Sequence, residues 1–545
     1  MTHVIRRVLL AATLLSAPVW AQSWAWTQSR AWAQSPAPPL TIAVSAPITS
    51  MDPHYHALTP NIALARHIFN SLTDTDAHAK AIPSLAESWR LVDERTWEFK
   101  LRPGVRFHDG TPFTAEDVAF TLDRVPKVLN SPSSFSIYTK SVTGVEVVDP
   151  LTVRLRTDAV YPLLPNDLAQ VMMLSHTIHA GMATENFNSG KAAIGTGPYK
   201  LVSYQPGDRI ELERNEDYWG EKPLWGHVTT RILSNNAART AALLAGDVQV
   251  IDNVPTTDAA KLRGDKRVAV SEVLGLRIIY LALDHMRDGP SPYVTGPAGE
   301  ALPRNPLRDR RVREALSVAI NRPAIAERVM EGAAVPAGQF LPAGSFGYVP
   351  GLDAPRWDVA RAKALLAEAG YSNGLRITLH GPNDRYVNDA AIIQAIGQMW
   401  TRAGVQTAVE PMPWTTFVGR AGKQELSAYL VGWSSASGEG TNPLRSLVAT
   451  VTPALGYGVA NRGRYSNPAV DTLLTQALAT ADDKAREPLV QEATRQAMAD
   501  VAIIPLHIQK NVWGTQAGLQ YLPRVDEETR AMDVLPRPDI SKPGG

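Results

Sequence analysis

The 545-residue chain is longer than one hydrophobic core supports, so at least two lobes are expected. Its 44% hydrophobic and 20% charged residues are ordinary globular composition, and a formal net charge of +1 excludes a field strong enough to recruit nucleic acid. Cysteine is absent, which excludes structural disulfides, thiolate zinc sites, thiol catalysis and a lipid anchor on an N-terminal cysteine.

The N-terminus reads as an export signal. Arg6 and Arg7 precede the apolar run Val8 to Trp20, which at about 13 residues is short of the ~20 a spanning helix needs. Small residues suit cleavage after Ala21 or after Ala33, and the second choice makes residues 1–33 the leader. A soluble periplasmic protein without a lipid anchor is therefore expected.

Strand and helix signals then alternate, which predicts an α/β fold. Thr41 to Ser45 reads as a strand. Ile62, Ala65, Phe69 and Leu72 share one face of a helix over 61–72. Trp97, Phe99 and Leu101 alternate with Glu98, Lys100 and Arg102 as a half-buried strand. Thr114 with Asp117 resembles a capping box opening a helix. Val145 and Val147 turn at Asp149-Pro150 into Val153 and Leu155 as a hairpin. Strands are expected over 199–204 and 210–214, then a helix over 236–245 closed by Gly246, then an apolar strand over 276–283. The Gly/Pro-rich stretch 286–306 has no period and reads as a lobe boundary. Beyond it, helices begin at Asp309, Asn321, Asp358, Ile392, Pro468 and Asp482, and strands fall at 376–379, 405–409, 428–433 and 503–508.

Catalytic and nucleotide-binding motifs are missing: there is no G-x-S-x-G elbow, H-E-x-x-H pair or Walker phosphate loop. Gly195-Thr196-Gly197-Pro198 is not a phosphate cradle, because Pro198 lacks the donor such a loop needs; it reads as a tight turn. His54/His56 and His176/His179 have ligating spacing, but no metal or other cofactor is expected. Trp433 ends a predicted strand and precedes the small polar run Ser434 to Gly440, suited to a ligand-facing loop.

The segments IPSLAESW (82–89), WEFKLRPGVRFHDGTPFTAEDVAFTL (97–122), GTGPYKL (195–201), LERNEDYWG (212–220), DRRVREALSVAINRPAI (309–325) and AKALLAEAGY (362–371) resemble the extracytoplasmic solute-binding proteins of dipeptide, oligopeptide and nickel ABC importers, family 5. The resemblance implies a two-lobed periplasmic binding protein of type II, the Venus-flytrap arrangement, with an extra subdomain in the first lobe. It places the first lobe at 34–75 and 195–288, the subdomain at 76–194, the second lobe at 289–500, and a C-terminal return to the first lobe at 501–545. It implies a monomer that traps a peptide or peptide-like solute by hinge closure and docks on an ABC permease with its ATPase subunits. Contact with the membrane is then only through that permease.

In typical peptide-binding members, the third residue after the loop Trp is an Asp that pairs with the peptide ammonium; here it is Ala436. The loop Gly432 to Glu439 (GWSSASGE) is closer to the glutathione-binding branch, so Trp433, Ser435, Ala436, Ser437 and Glu439 are the expected ligand contacts. Arg445 is a candidate for a ligand carboxylate, and Asp52, His54 and Tyr55 follow the first strand where the family's cleft begins. A non-peptide solute such as an opine, metal chelate or haem remains an alternative. So do a periplasmic hydrolase and a sensory protein of the same fold.

Overall fold

The structure, a computed structural model, describes residues 37–435 and 437–537; the predicted leader and Ala436 lie outside the described residues. The first strand, Pro39–Val44, pairs in parallel with His227–Ile232 on one side and Val250–Ile251 on the other. Arg209–Arg214 and Tyr199–Gln205 extend this half of the sheet antiparallel. In the other half, Leu375–Pro382 lies parallel to both Val405–Met412 and Ala428–Ser434.

Two long antiparallel strands, Val268–Leu283 and Ile504–Gln516, run through both halves and join them. Their first contacts are with the Val250–Ile251 side and their last with Ala428–Ser434. Between the two halves the pairing slips: Leu274 faces Lys510, yet the next pair is Ile278 with Ile508. Residues 275–277 therefore bulge out of the ladder, and bulges bend a strand and re-aim its side chains. The Leu276 amide instead donates to Val525 O (3.1 Å), which brings the C-terminal segment across the joint. The fold is a two-lobed α/β binding protein whose lobes share one twelve-stranded sheet.

Residues 86–157 build a separate four-stranded antiparallel sheet, Ala86–Asp93, Thr96–Leu101, Thr152–Thr157 and Val142–Asp149 in spatial order. The predicted hairpin is there, with Val145 opposite Leu155 and Val147 opposite Val153. Helix Ala115–Arg124 covers this sheet, and the Asp117 carboxylate accepts from the Thr114 amide at 2.8 Å, one half of the capping box.

Local chemistry sets many boundaries. Asn235 caps helix Asn236–Ala245 by accepting from the Ala238 amide, and Gly246 closes it at φ 85°, where a side chain would be strained. Asp309 caps Arg310–Val318 and Asp358 caps Val359–Glu368 in the same way. The helix expected to run on to Leu72 stops at Ile68, and Phe69 is extended. Its end is packed by the 195–197 turn: a Cβ at Gly195 or Gly197 would collide with the Ile68 carbonyl. The helix from Asn321 widens after Ala324 into a π turn over Ile325–Val329. No helix among the described residues is long and apolar enough to cross a membrane.

Candidate ligand site between the lobes

The carboxyl ends of the parallel strands Pro39–Val44, His227–Ile232 and Val250–Ile251 open onto the cleft, where open α/β sheets bind their ligands. A cavity of about 90 Å³ lies there. The first lobe contributes Asp252 and Asn253 from the end of one strand and a wall from helix Thr59–Ile68. Asp252 Oδ1 accepts from the Ser45 amide at 2.7 Å, and Asn253, at φ 42°, donates to Ser45 Oγ at 2.8 Å. Behind them the buried Arg239 ties down the Asp252 and Asn253 carbonyls, its Nε 3.9 Å from Asp252 Oδ1. Burial pushes the Asp252 carboxyl up to about 6, which Arg239 offsets only in part. His67, on the helix wall, bonds Ala63 O through Nδ1 and accepts the Ala531 amide at Nε2, and burial holds its pKa near 4. It is a neutral imidazole.

The second lobe contributes Arg385. Its guanidinium lies over the rings of Tyr386 (5.3 Å) and Trp414 (5.5 Å). It makes no hydrogen bond or ion pair to a side chain or carbonyl among the described residues, and burial and then Arg277 pull its pKa down. Arg277 comes from the bulge between the lobes and is matched: Nε and Nη2 reach the two oxygens of Glu527 at 2.7 and 2.6 Å. Among the described residues, the cavity thus has one matched ion pair, one cation without a carboxylate partner and one carboxyl whose pKa is raised by burial.

The family model of bacterial extracellular solute-binding proteins, family 5 (Middle), matches residues 80–452. The chain belongs to this family. As such it is an extracellular solute-binding protein. It is 29% identical to the Glutathione-binding protein GsiB of Pectobacterium atrosepticum, over 93% of either chain. It is 28% identical to that of Escherichia coli K12, over 87% of this chain and 89% of the relative. Its fold matches that of the ABC transporter-associated periplasmic binding protein DppA from Helicobacter pylori, solved with the peptide STSA, at a TM-score of 0.77 and 23% identity. That match covers 91% of this chain and 98% of the other.

In this solute-binding protein, the residues singled out from the sequence fall into two groups, and the cavity is lined by neither. Trp433, Ser435, Ser437, Glu439 and Arg445 are gathered by strand Ala428–Ser434 and the segment after it; Ala436 lies outside the described residues. The loop leaves the sheet beside the cavity, since Ser434 pairs with Arg277 and Tyr386 Oη donates to Gly432 O (3.2 Å). Trp433 Nε1 donates to Asn442 Oδ1, and Ser435 Oγ to Glu439 O. Glu439 is held by Arg486 at 2.5 Å, and burial raises its pKa to about 7. Arg445 crosses to the first lobe, donating to Tyr161 Oη (2.8 Å), which donates on to Asp167.

Asp52, His54 and Tyr55 sit on the subdomain side. Asp52 forms a two-pronged pair with Arg124 and accepts from Thr184, while His54 Nε2 bonds Met172 O. Sequence reasoning missed Asp252, Arg277, Arg385 and Glu527. No local motif marks them; they become neighbours only when the lobes and the C-terminal segment are assembled.

Proposed function

We propose that this solute-binding protein captures a peptide-like zwitterion between its lobes, with the ligand carboxylate on Arg385 and its ammonium on Asp252. The observation that carries this reading is Arg385, a half-buried guanidinium lining the cavity with no carboxylate partner among the described residues. A planar guanidinium accepts a carboxylate through two parallel hydrogen bonds, and the aromatic platform beneath it fixes the plane.

Asp252 serves where Ala436 cannot. Glu439 already pairs with Arg486, whereas Asp252 lines the cavity. The peptide named with one structural neighbour supports the same ligand class, and the glutathione named for the relatives shares the ammonium but carries a second carboxylate. The Trp433 loop, beside Arg277, forms the adjoining wall in this reading. The protein acts as a soluble periplasmic monomer that hands its ligand, chemically unchanged, to the permease, with ATP hydrolysed by other subunits.

The test is a thermal-shift screen on protein unfolded, stripped of ligand and refolded, using Ala-Gln, Ala-Glu, tripeptides, glutathione and an opine. A ligand at 100 times its dissociation constant adds about 2.7 kcal/mol of stability. A shift with peptides that is lost in Arg385→Met supports the reading. Stabilisation by the opine alone, or cleavage of any probe, contradicts it.

A further inference from the structure

An ion pair stands at the joint between the lobes, where it also forms part of the cavity wall. Arg277 sits in the bulge of the linking strand, and Glu527 reaches it from the C-terminal segment. Glu527 adopts φ 69°, a left-handed conformation that a residue with a long side chain takes only when its surroundings force it. The surroundings do so. Asp526 on one side is paired with Arg524 (2.7 Å), and Glu528 on the other is held by Arg66 (2.9 Å) and Arg530 (2.7 Å). Val525 is bonded through both its amide and its carbonyl, to Ala77 O and from the Leu276 amide. The turn is clamped at every neighbour of Glu527, and its carboxylate is pointed into the cavity wall.

We infer that Glu527 is a specificity-determining residue that cancels the charge of Arg277, so that the cavity accepts a ligand with one carboxylate and disfavours one with two. This deepens the reading of the cavity as a site for peptide-like zwitterions and rests on it. With Glu527 in place, the described residues of the cavity offer one available cation, Arg385, and one acid, Asp252. A neutral dipeptide matches that pattern. A second ligand carboxylate, such as that of an acidic dipeptide or of glutathione, meets no available cation and must approach Glu527. Removing the Glu527 charge leaves Arg277 as a second guanidinium on the same wall, and a dicarboxylate then finds two cations. Burial lowers the Arg277 pKa and Glu527 raises it; when the Glu527 charge is removed, the intrinsically high pKa of a guanidinium keeps Arg277 protonated at neutral pH.

The experiment compares Ala-Gln with Ala-Glu by calorimetry on refolded wild-type protein, Glu527→Gln and the double variant Arg277→Met/Glu527→Gln. The wild type prefers Ala-Gln by about tenfold, Glu527→Gln narrows or inverts that ratio by about tenfold or more, and the double variant restores it. A second arm uses glutarate, which has two carboxylates and no amine. It raises the melting temperature of Glu527→Gln more than that of the wild type or the double variant. If Glu527→Gln fails to fold, Arg277→Met replaces it and discriminates against Ala-Glu more strongly than the wild type does. An unchanged ratio together with equal glutarate shifts overturns the assignment of Glu527. Failure of both dipeptides to bind the wild type, with the glutarate difference intact, sinks only the peptide reading and leaves the charge-cancelling role standing.

Discussion

Burial acts on Arg385 and Asp252 in the same sense, driving each toward its neutral form: the guanidinium pKa is lowered and the carboxyl is raised to about 6. A zwitterion relieves both costs at once, because each end of it stabilises the charged form of one wall. Two predictions belong at this scale. Arg385→Met lowers affinity for the best peptide by about a hundredfold while costing the ligand-free protein no more than its cation–π contacts, about 1 kcal/mol, since the lost cation had no carboxylate partner among the described residues. Titration calorimetry and ligand-free melting separate the two effects. The second concerns pH. Asp252 is charged above about 6, so affinity is flat from pH 7 to 8 and falls as pH drops through 6, by up to about tenfold per unit; Asp252→Asn removes the slope. For the ligand-free protein the sign is opposite. A raised carboxyl pKa contributes stability that is full below about 4 and is lost as pH rises through about 6, and Glu439 adds a like term lost through about 7.

Among the elements, the C-terminal return carries more than its length suggests. Trp513 stacks on Tyr521 at 4.6 Å and donates to Thr529, while Arg66, Arg524 and Arg530 face Asp74, Asp526 and Glu528 in one buried network. Breaking such a network strands charges without partners. Arg530→Met is therefore expected to cost about 3–5 kcal/mol, read as a lower urea midpoint for the first lobe. Elements with local punctuation were legible in the sequence: the helix over 236–245 between Asn235 and Gly246, and the helix capped by Asp309. The linking strands were read too short, as 276–283 and 503–508. Their outer halves, such as Gln509-Lys510-Asn511, lack an apolar run, and it is pairing with each other that makes them strands. The candidate site was least legible. Arg445 and Glu439 have the right chemistry in sequence, but Arg445 already donates to Tyr161 and Glu439 already pairs with Arg486, and that is decided only by tertiary contacts.

In the whole molecule, polar contacts among the described residues join the lobes. Arg445 reaches Tyr161, Lys140 Nζ donates to Pro453 O at 2.7 Å, and Asn388 Nδ2 donates to Thr256 Oγ1 at 3.0 Å. These few polar contacts between the lobes form an interface that a bound solute can tip, since a ligand touching both lobes favours the closed state by its differential affinity. Trapping a zwitterion between Arg385 and Asp252 requires that closure depend on both ends of the ligand. Small-angle scattering of the refolded, ligand-free protein, with and without saturating Ala-Gln, tests this most directly. The radius of gyration should fall on adding peptide to the wild type and stay fixed in Arg385→Met at the same peptide concentration. An equal fall in both proteins, or none in the wild type once binding is verified, would contradict it.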